Sequence, residues 1–196
     1  ALSDVRKIAG KQAVLSGVAG VIKDTKDLAN KETPIYVLIA VILSIIILSI
    51  TMESYVIPIV FLSSIGIAII YNMGSNVIFE NISYVTKALS AVLQLGVTMD
   101  YSIFLLHRYD EERESRENKV EAMANAIEAT IESVVGSALT TVAGFLALCV
   151  MDLALGKDIG LVMAKGVVIG VICTITILPA LVLTFDKVIH KYKHKN

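Results

Sequence analysis

Asp100 and Tyr101 stand side by side inside a long apolar run, and an acid in that setting can load and release a proton. A carboxylate at mid-membrane costs several kcal/mol unless it is paired, opened to a water-filled cavity or protonated. Burial raises the pKa of a carboxyl toward the range where it exchanges protons near neutrality. Coupling a proton gradient to movement needs such a group. On a helix, Gly96 lies one turn to one side of Asp100 and His107 two turns to the other, all on one face. Gly96 leaves room for a partner helix or water. His107 either passes protons at an inner mouth or is an interfacial side chain beside Arg108. Gln94, Thr98 and Tyr101 fall on the adjacent stripe. The plainer alternative makes Asp100 a structural carboxyl hydrogen-bonded to a neighbouring helix.

Other polar and small residues fall into patterns around this pair. Thr140 and Thr141 can support a relay by hydrogen-bonding the carboxylate, while Gly136, Thr140 and Gly144 repeat at four-residue spacing and Gly166 and Gly170 form a GxxxG pair. Small residues let helices approach closely in lipid, so packing is the first reading of Gly96, Gly136, Gly144, Gly166 and Gly170. Lys165 lies about six residues into the last apolar run and is expected to snorkel to the outer interface. The sequence carries no Ser/His/Asp, CxxC, HExxH or phosphate-loop signature in a fitting context, which argues against an enzyme and calls for no metal or cofactor.

The elements that must position Asp100 are membrane spans. A mean hydropathy of +0.75 with 56% hydrophobic residues is too oily for a soluble chain of this length, so the bilayer is the expected solvent. The net charge is −1 and the 17 basic residues form no continuous stripe, which excludes a nucleic-acid partner. Apolar runs over 35–52, 56–71, 84–107, a stretch ending near 151, and 159–185 give about five transmembrane helices. Between the third and fourth, 110–119 is charge-dense. Val120, Met123, Ala124, Ile127, Ile131 and Val134 then recur at helical spacing, predicting an amphipathic helix near 115–130 on the membrane surface that runs into the fourth span.

Lysine and arginine counts near the membrane ends place the C-terminus in the cytoplasm. Residues 1–32 then lie outside, as a short α/β remnant of an extracytoplasmic domain, and 33–196 form the bundle. Residues 1–30 show no signal peptide, and a membrane chain opening this way reads as part of something longer. Cys149 and Cys173 fall at different depths, too far apart to pair.

The run 96–112, GVTMDYSIFLLHRYDEE, resembles the fourth transmembrane helix of the MMPL transporters, a branch of the resistance-nodulation-division superfamily. ESVVGSALTTVAG (132–144), MAKGVVIGV (163–171) and ILPALVLTFDK (177–187) are similar to the fifth and sixth helices of that family, and IKDTKDL and IGIAIIYNMGSN fit the porter junction and the end of its third helix. TMDYSIFLLHRY together with GFLALCVM looks like the first of two repeats in Gram-positive members. The resemblance implies an all-α polytopic bundle holding helices two to six of one repeat, with Asp100 and Tyr101 as this half's proton-relay pair.

It further implies a bacterial plasma-membrane exporter of lipids or other hydrophobic molecules, driven by protons and completed by a second membrane repeat. The same five helices are similar to a sterol-sensing bundle, which gives the alternative of a lipid sensor or regulator without net transport. A structural scaffold explains the bundle but not Asp100.

Overall fold

In a bilayer every backbone polar group must be satisfied within its own segment or by a neighbour, so long apolar runs fold as helices. A computed structural model describes residues 18–52, 56–76 and 83–191, and the regular structure among them is entirely helical. The elements are α1 (Val18–Thr51), α2 (Val56–Ser75), α3 (Tyr84–Ser115), α4 (Lys119–Ala147), a 3-10 turn over Leu148–Val150, and α5 (Ala154–Lys191). Five of these helices are long and apolar enough to cross a membrane.

Local chemistry sets their ends. Pro58 falls in the first turn of α2, where a missing N–H costs least. Ser83 caps α3 by accepting from the Val85 amide at 3.3 Å, and the Ser83 amide donates to Asp158 at 3.2 Å, tying the start of α3 to the start of α5. Asn118 caps α4 through Val120 N at 3.0 Å, leaving a very short α3–α4 corner. Below, the near end of the bundle is the one at which α3 begins, and the far end is the one at which it finishes.

Three expectations bear on these bounds. Of the α/β remnant expected over 1–32, only 18–32 fall among the described residues. Residues 18–32 are helical and continuous with the first span, and 1–17 lie outside the described residues. The amphipathic segment expected near 115–130 and running into the fourth span falls at the start of α4, where Ala122, Met123 and Ala126 are buried in one core cluster with Leu105, Leu106, Tyr109, Leu178 and Val182. Val120, placed on the apolar stripe by spacing, is exposed. The alanines allow closer packing than the branched residues, so the helix turns that face inward. Third, α2 runs on to Ser75, past the apolar run over 56–71, and its last turns bury Asn72 within the bundle.

The far end is held by charge. Arg108 pairs with Glu111 and Glu112, both at 2.7 Å, and Arg116 pairs with Glu112 and Glu121, both at 3.0 Å. Inside this rim Tyr109 donates to Asp186 at 3.4 Å, Lys119 stands 3.6 Å from Asp186, and its ammonium donates to the Leu183 carbonyl at 3.0 Å. That cluster joins α3, α4 and α5.

Cys149 and Cys173 are free. Cys149 lies against Gly160, where an added Cβ would stand 2.8 Å from its sulfur. Cys173 is thirteen residues further along α5, about 20 Å away on the helix axis. Mass spectrometry after alkylation without reductant is expected to show both thiols modified. An intramolecular disulfide would contradict this helix arrangement.

Candidate proton-relay site

The helical repeat gives α3 two faces of opposite character. Thr86, Ser90, Gln94, Thr98 and Ser102, at strict four-residue spacing, are all buried against the bundle. On the other side Leu89, Leu93, Gly96, Asp100, Phe104 and His107 are all exposed. Asp100 lies near the middle of the helix, about 12 Å from the Arg108 end. It therefore projects away from the four other helices, at a depth where an unattended carboxylate is costly.

Tyr101 turns the other way. It is buried in a cluster with Val134, Ala138, Val167 and Val171. Its hydroxyl donates to Thr141 Oγ1 at 3.4 Å, and Thr141 in turn donates to the Ser137 carbonyl at 3.0 Å. This contact sets the level of α3 against the antiparallel α4, bringing Thr140 and Thr141 to the depth of Asp100. Thr140 is exposed, and its hydroxyl donates to the Ser137 carbonyl at 2.7 Å. Asp100, Gly96 and His107 on α3 and Gly136, Ser137, Thr140 and Gly144 on α4 thus lie on exposed sides of two neighbouring helices. An added Cβ at Gly96, Gly136 or Gly144 would meet nothing within 4 Å.

Gly166 and Gly170 have different surroundings. A Cβ at Gly166 would lie 2.6 Å from Asn72 Nδ2, and one at Gly170 would lie 2.5 Å from Thr98 Oγ1. These two glycines admit α2 and α3 to the surface of α5. Gln94 and Thr98, assigned by spacing to a stripe beside Asp100, face α5 instead.

Lys165 does not snorkel. Its ammonium donates to the Asn72 carbonyl at 3.2 Å and also reaches Asn76 Oδ1. The last turn of α2 offers carbonyls at the negative end of its dipole, and a lysine directed into the bundle meets them there. Ser102 with Thr174, and Asn72 with Gln94, are further buried polar pairs that the sequence reading did not name. The four-residue recurrence of polar residues along α3 was the signal that could have found them. A mostly apolar groove of about 390 Å³ lies between α1 and α3, lined by Ala29, Thr33, Tyr36, Val85, Leu89 and Val92 together with the charged Glu32. Among the described residues no three His, Cys, Asp or Glu side chains converge as a metal set.

Comparison with known proteins agrees with the sequence motif. The model of the MMPL family matches residues 1–195. The chain is 29% identical over 199 residues to the membrane protein ActII-3 of Streptomyces coelicolor, covering 95% of this chain and 28% of that protein. It is 30% identical over 189 residues to the apo-petrobactin exporter of Bacillus anthracis, covering 93% of this chain and 25% of the exporter. It is 22% identical over 178 residues to the siderophore exporter MmpL5 of Mycobacterium tuberculosis, covering 88% of this chain and 18% of that protein. The chain therefore spans less than a third of the length of each of these relatives.

Proposed function

The chain belongs to the MMPL family, and on that premise we propose that it is half of the membrane domain of an exporter driven by proton influx. The observation that carries this reading is the placement of Asp100, at mid-helix on a side of α3 that no other helix among the described residues covers. Against lipid tails such a carboxylate would cost about 2.5–3.5 kcal/mol, and more on an isolated helix. A second membrane repeat laid over α3 and α4 would remove that exposure. The acid would then face a narrow, partly hydrated seam in which it can be protonated from one side and deprotonated to the other. Gly96, Gly136 and Gly144, with open space beyond their backbones, are suited to the close approach of that repeat.

Thr140 and Thr141 supply hydroxyls at the level of the acid, and His107 lies two turns further along the same face as a proton acceptor at the far end. The exporter names of two relatives support outward transport. The apolar groove between α1 and α3 supports a lipid or other hydrophobic cargo. The deciding experiment reconstitutes the full-length protein in proteoliposomes and follows efflux of a lipophilic dye together with internal pH. Coupled dye and proton fluxes are expected. Binding of dye without proton movement would instead indicate a lipid sensor.

Orientation follows from charge. Arg108, Arg113, Arg116 and Lys119 cluster at the far end, with Lys187 and Lys191 at the end of α5, against Lys23, Lys26, Lys31, Lys87 and Lys157 at the near end. That balance, six against five, supports a far end on the cytoplasmic side of a bacterial membrane. Ser115, exposed in the α3–α4 corner, gives a direct check. A Ser115→Cys variant in intact cells is expected to escape a membrane-impermeant thiol reagent and to react after permeabilisation. Labelling in intact cells would invert the topology.

A further inference from the structure

We infer that Gln94 is a positioning residue for the proton step: by bridging Asn72 and the backbone of α5 it fixes the axial register of α3 and so the depth of Asp100. The inference rests on the relay reading above and adds a residue on the opposite side of the helix from the acid.

The two helices run in the same direction and meet through three rungs. Gln94 Nε2 donates to the Gly166 carbonyl at 3.2 Å, and Ser102 Oγ lies 3.1 Å from Thr174 Oγ1, each pair separated by 72 positions. Between them Thr98 packs on Gly170 at the same separation. The rungs repeat every four residues on both helices, so a slide of one turn would again oppose two of the three polar side chains to Gly or Thr, while Leu178 or Val162 would meet the third. The hydroxyl rungs do not resist such a slide strongly. Ser102 also reaches the Thr98 carbonyl at 2.9 Å, and Thr174 donates to the Gly170 carbonyl at 2.9 Å, so each can be satisfied within its own helix.

Gln94 is the rung that distinguishes one register from the next. Its side chain is 1% exposed, and its Oε1 accepts from Asn72 Nδ2 of α2 at 2.7 Å while its Nε2 engages α5. Moving α3 by a turn would part the buried Gln94 Oε1 from Asn72 Nδ2, which would keep only the Val162 carbonyl at 3.4 Å, and strand the glutamine acceptor, a loss no hydroxyl rung incurs. Asp100 is six residues along the same helix, about 9 Å from Gln94 on its axis, so register and depth are one quantity.

The test uses the full-length protein in a Cys149→Ala, Cys173→Ala background. Ser102→Cys with Thr174→Cys reports the register by oxidative cross-linking, and the pH at half-maximal proton-driven dye efflux reports the surroundings of Asp100. The titratable side chains that share the exposed sides of the two helices, His107 on α3 and Glu128 and Glu132 on α4, and the adjacent Tyr101, are left unaltered. Gln94→Leu is expected to lower cross-linking severalfold and to move the pH midpoint by roughly half a unit or more. Where Gln94→Leu folds poorly, Asn72→Leu with Gln94→Leu removes both amides and should recover folded protein. It should recover neither the cross-link nor the midpoint. Parent-like cross-linking and midpoint in either variant would overturn the inference and leave Gln94 as a space-filling residue. The relay reading fails separately, if Asp100→Asn exports like the parent, and cross-linking still decides whether Gln94 sets the register.

Discussion

Asp100→Asn in the full-length protein is expected to stop proton-driven export while leaving the protein folded and inserted. Asparagine keeps the size of the side chain and most of its hydrogen-bonding capacity but has no proton to exchange. Asp100 is exposed in this chain and supports none of the core clusters, so packing within these helices should not notice the change. Transport should fall by about 10²-fold or more, the scale lost when a positioned acid–base group is removed. Tyr101→Phe should cost less. It deletes the 3.4 Å contact with Thr141, a hydrogen bond of about 1 kcal/mol, and leaves the acid in place. The measurement is dye efflux with internal pH in proteoliposomes, parent and variants side by side. Export by Asp100→Asn at the parent rate would make the carboxyl structural.

The second large effect concerns glycines that look alike in sequence. Gly170→Leu would drive its first side-chain atom into Thr98, with only 2.5 Å available. The obstacle is a short side chain on the facing helix, so α3 and α5 must move apart. Overpacking of this kind costs about 1–3 kcal/mol or more. The Gln94–Gly166 and Ser102–Thr174 rungs lie one turn on either side and should fail with it. The expected result is loss of folded protein, read as a lowered thermal transition in detergent. Gly136→Leu and Gly144→Leu meet open space within this half, so folding of the half should survive while transport by the complete protein declines. A Gly170→Leu variant as stable as the parent would contradict the close packing of α3 on α5.

Much of the architecture was legible because hydropathy and length act locally. Apolar runs announced the spans, and an aspartate inside one of them drew attention to Asp100. The limits of the helices were less legible, since 18–32 is polar enough to pass for a separate element and α2 continues through residues that favour turns. Which residues meet across the bundle was less legible, although the four-residue recurrence of polar residues on α3 marks one side of such a contact. Lys165 meets Asn72 and Asn76 from 93 and 89 positions away, and no local pattern encodes that meeting. Nor does spacing alone say which side of α3 is inside. Gln94 and Asp100 are both polar residues in an apolar helix, and only the glycines of α5 decide that the amide goes in and the acid out.

The ties of α5 carry a consequence for how the bundle is made. This helix holds α2 through Lys165 at the near end, α3 through the rungs at Gly166 and Thr174, and both α3 and α4 through Asp186 at the far end. It is also the last of the five to leave the ribosome. Helices inserted earlier wait in the bilayer with Asn72, Gln94, Thr98 and Ser102 facing no finished surface, and their association is completed only when α5 arrives. Of these five helices the one made last is therefore the one that closes the assembly, so a chain cut short before α5 presents unsatisfied amides and hydroxyls to lipid, a feature by which membrane quality control can recognise an unfinished product.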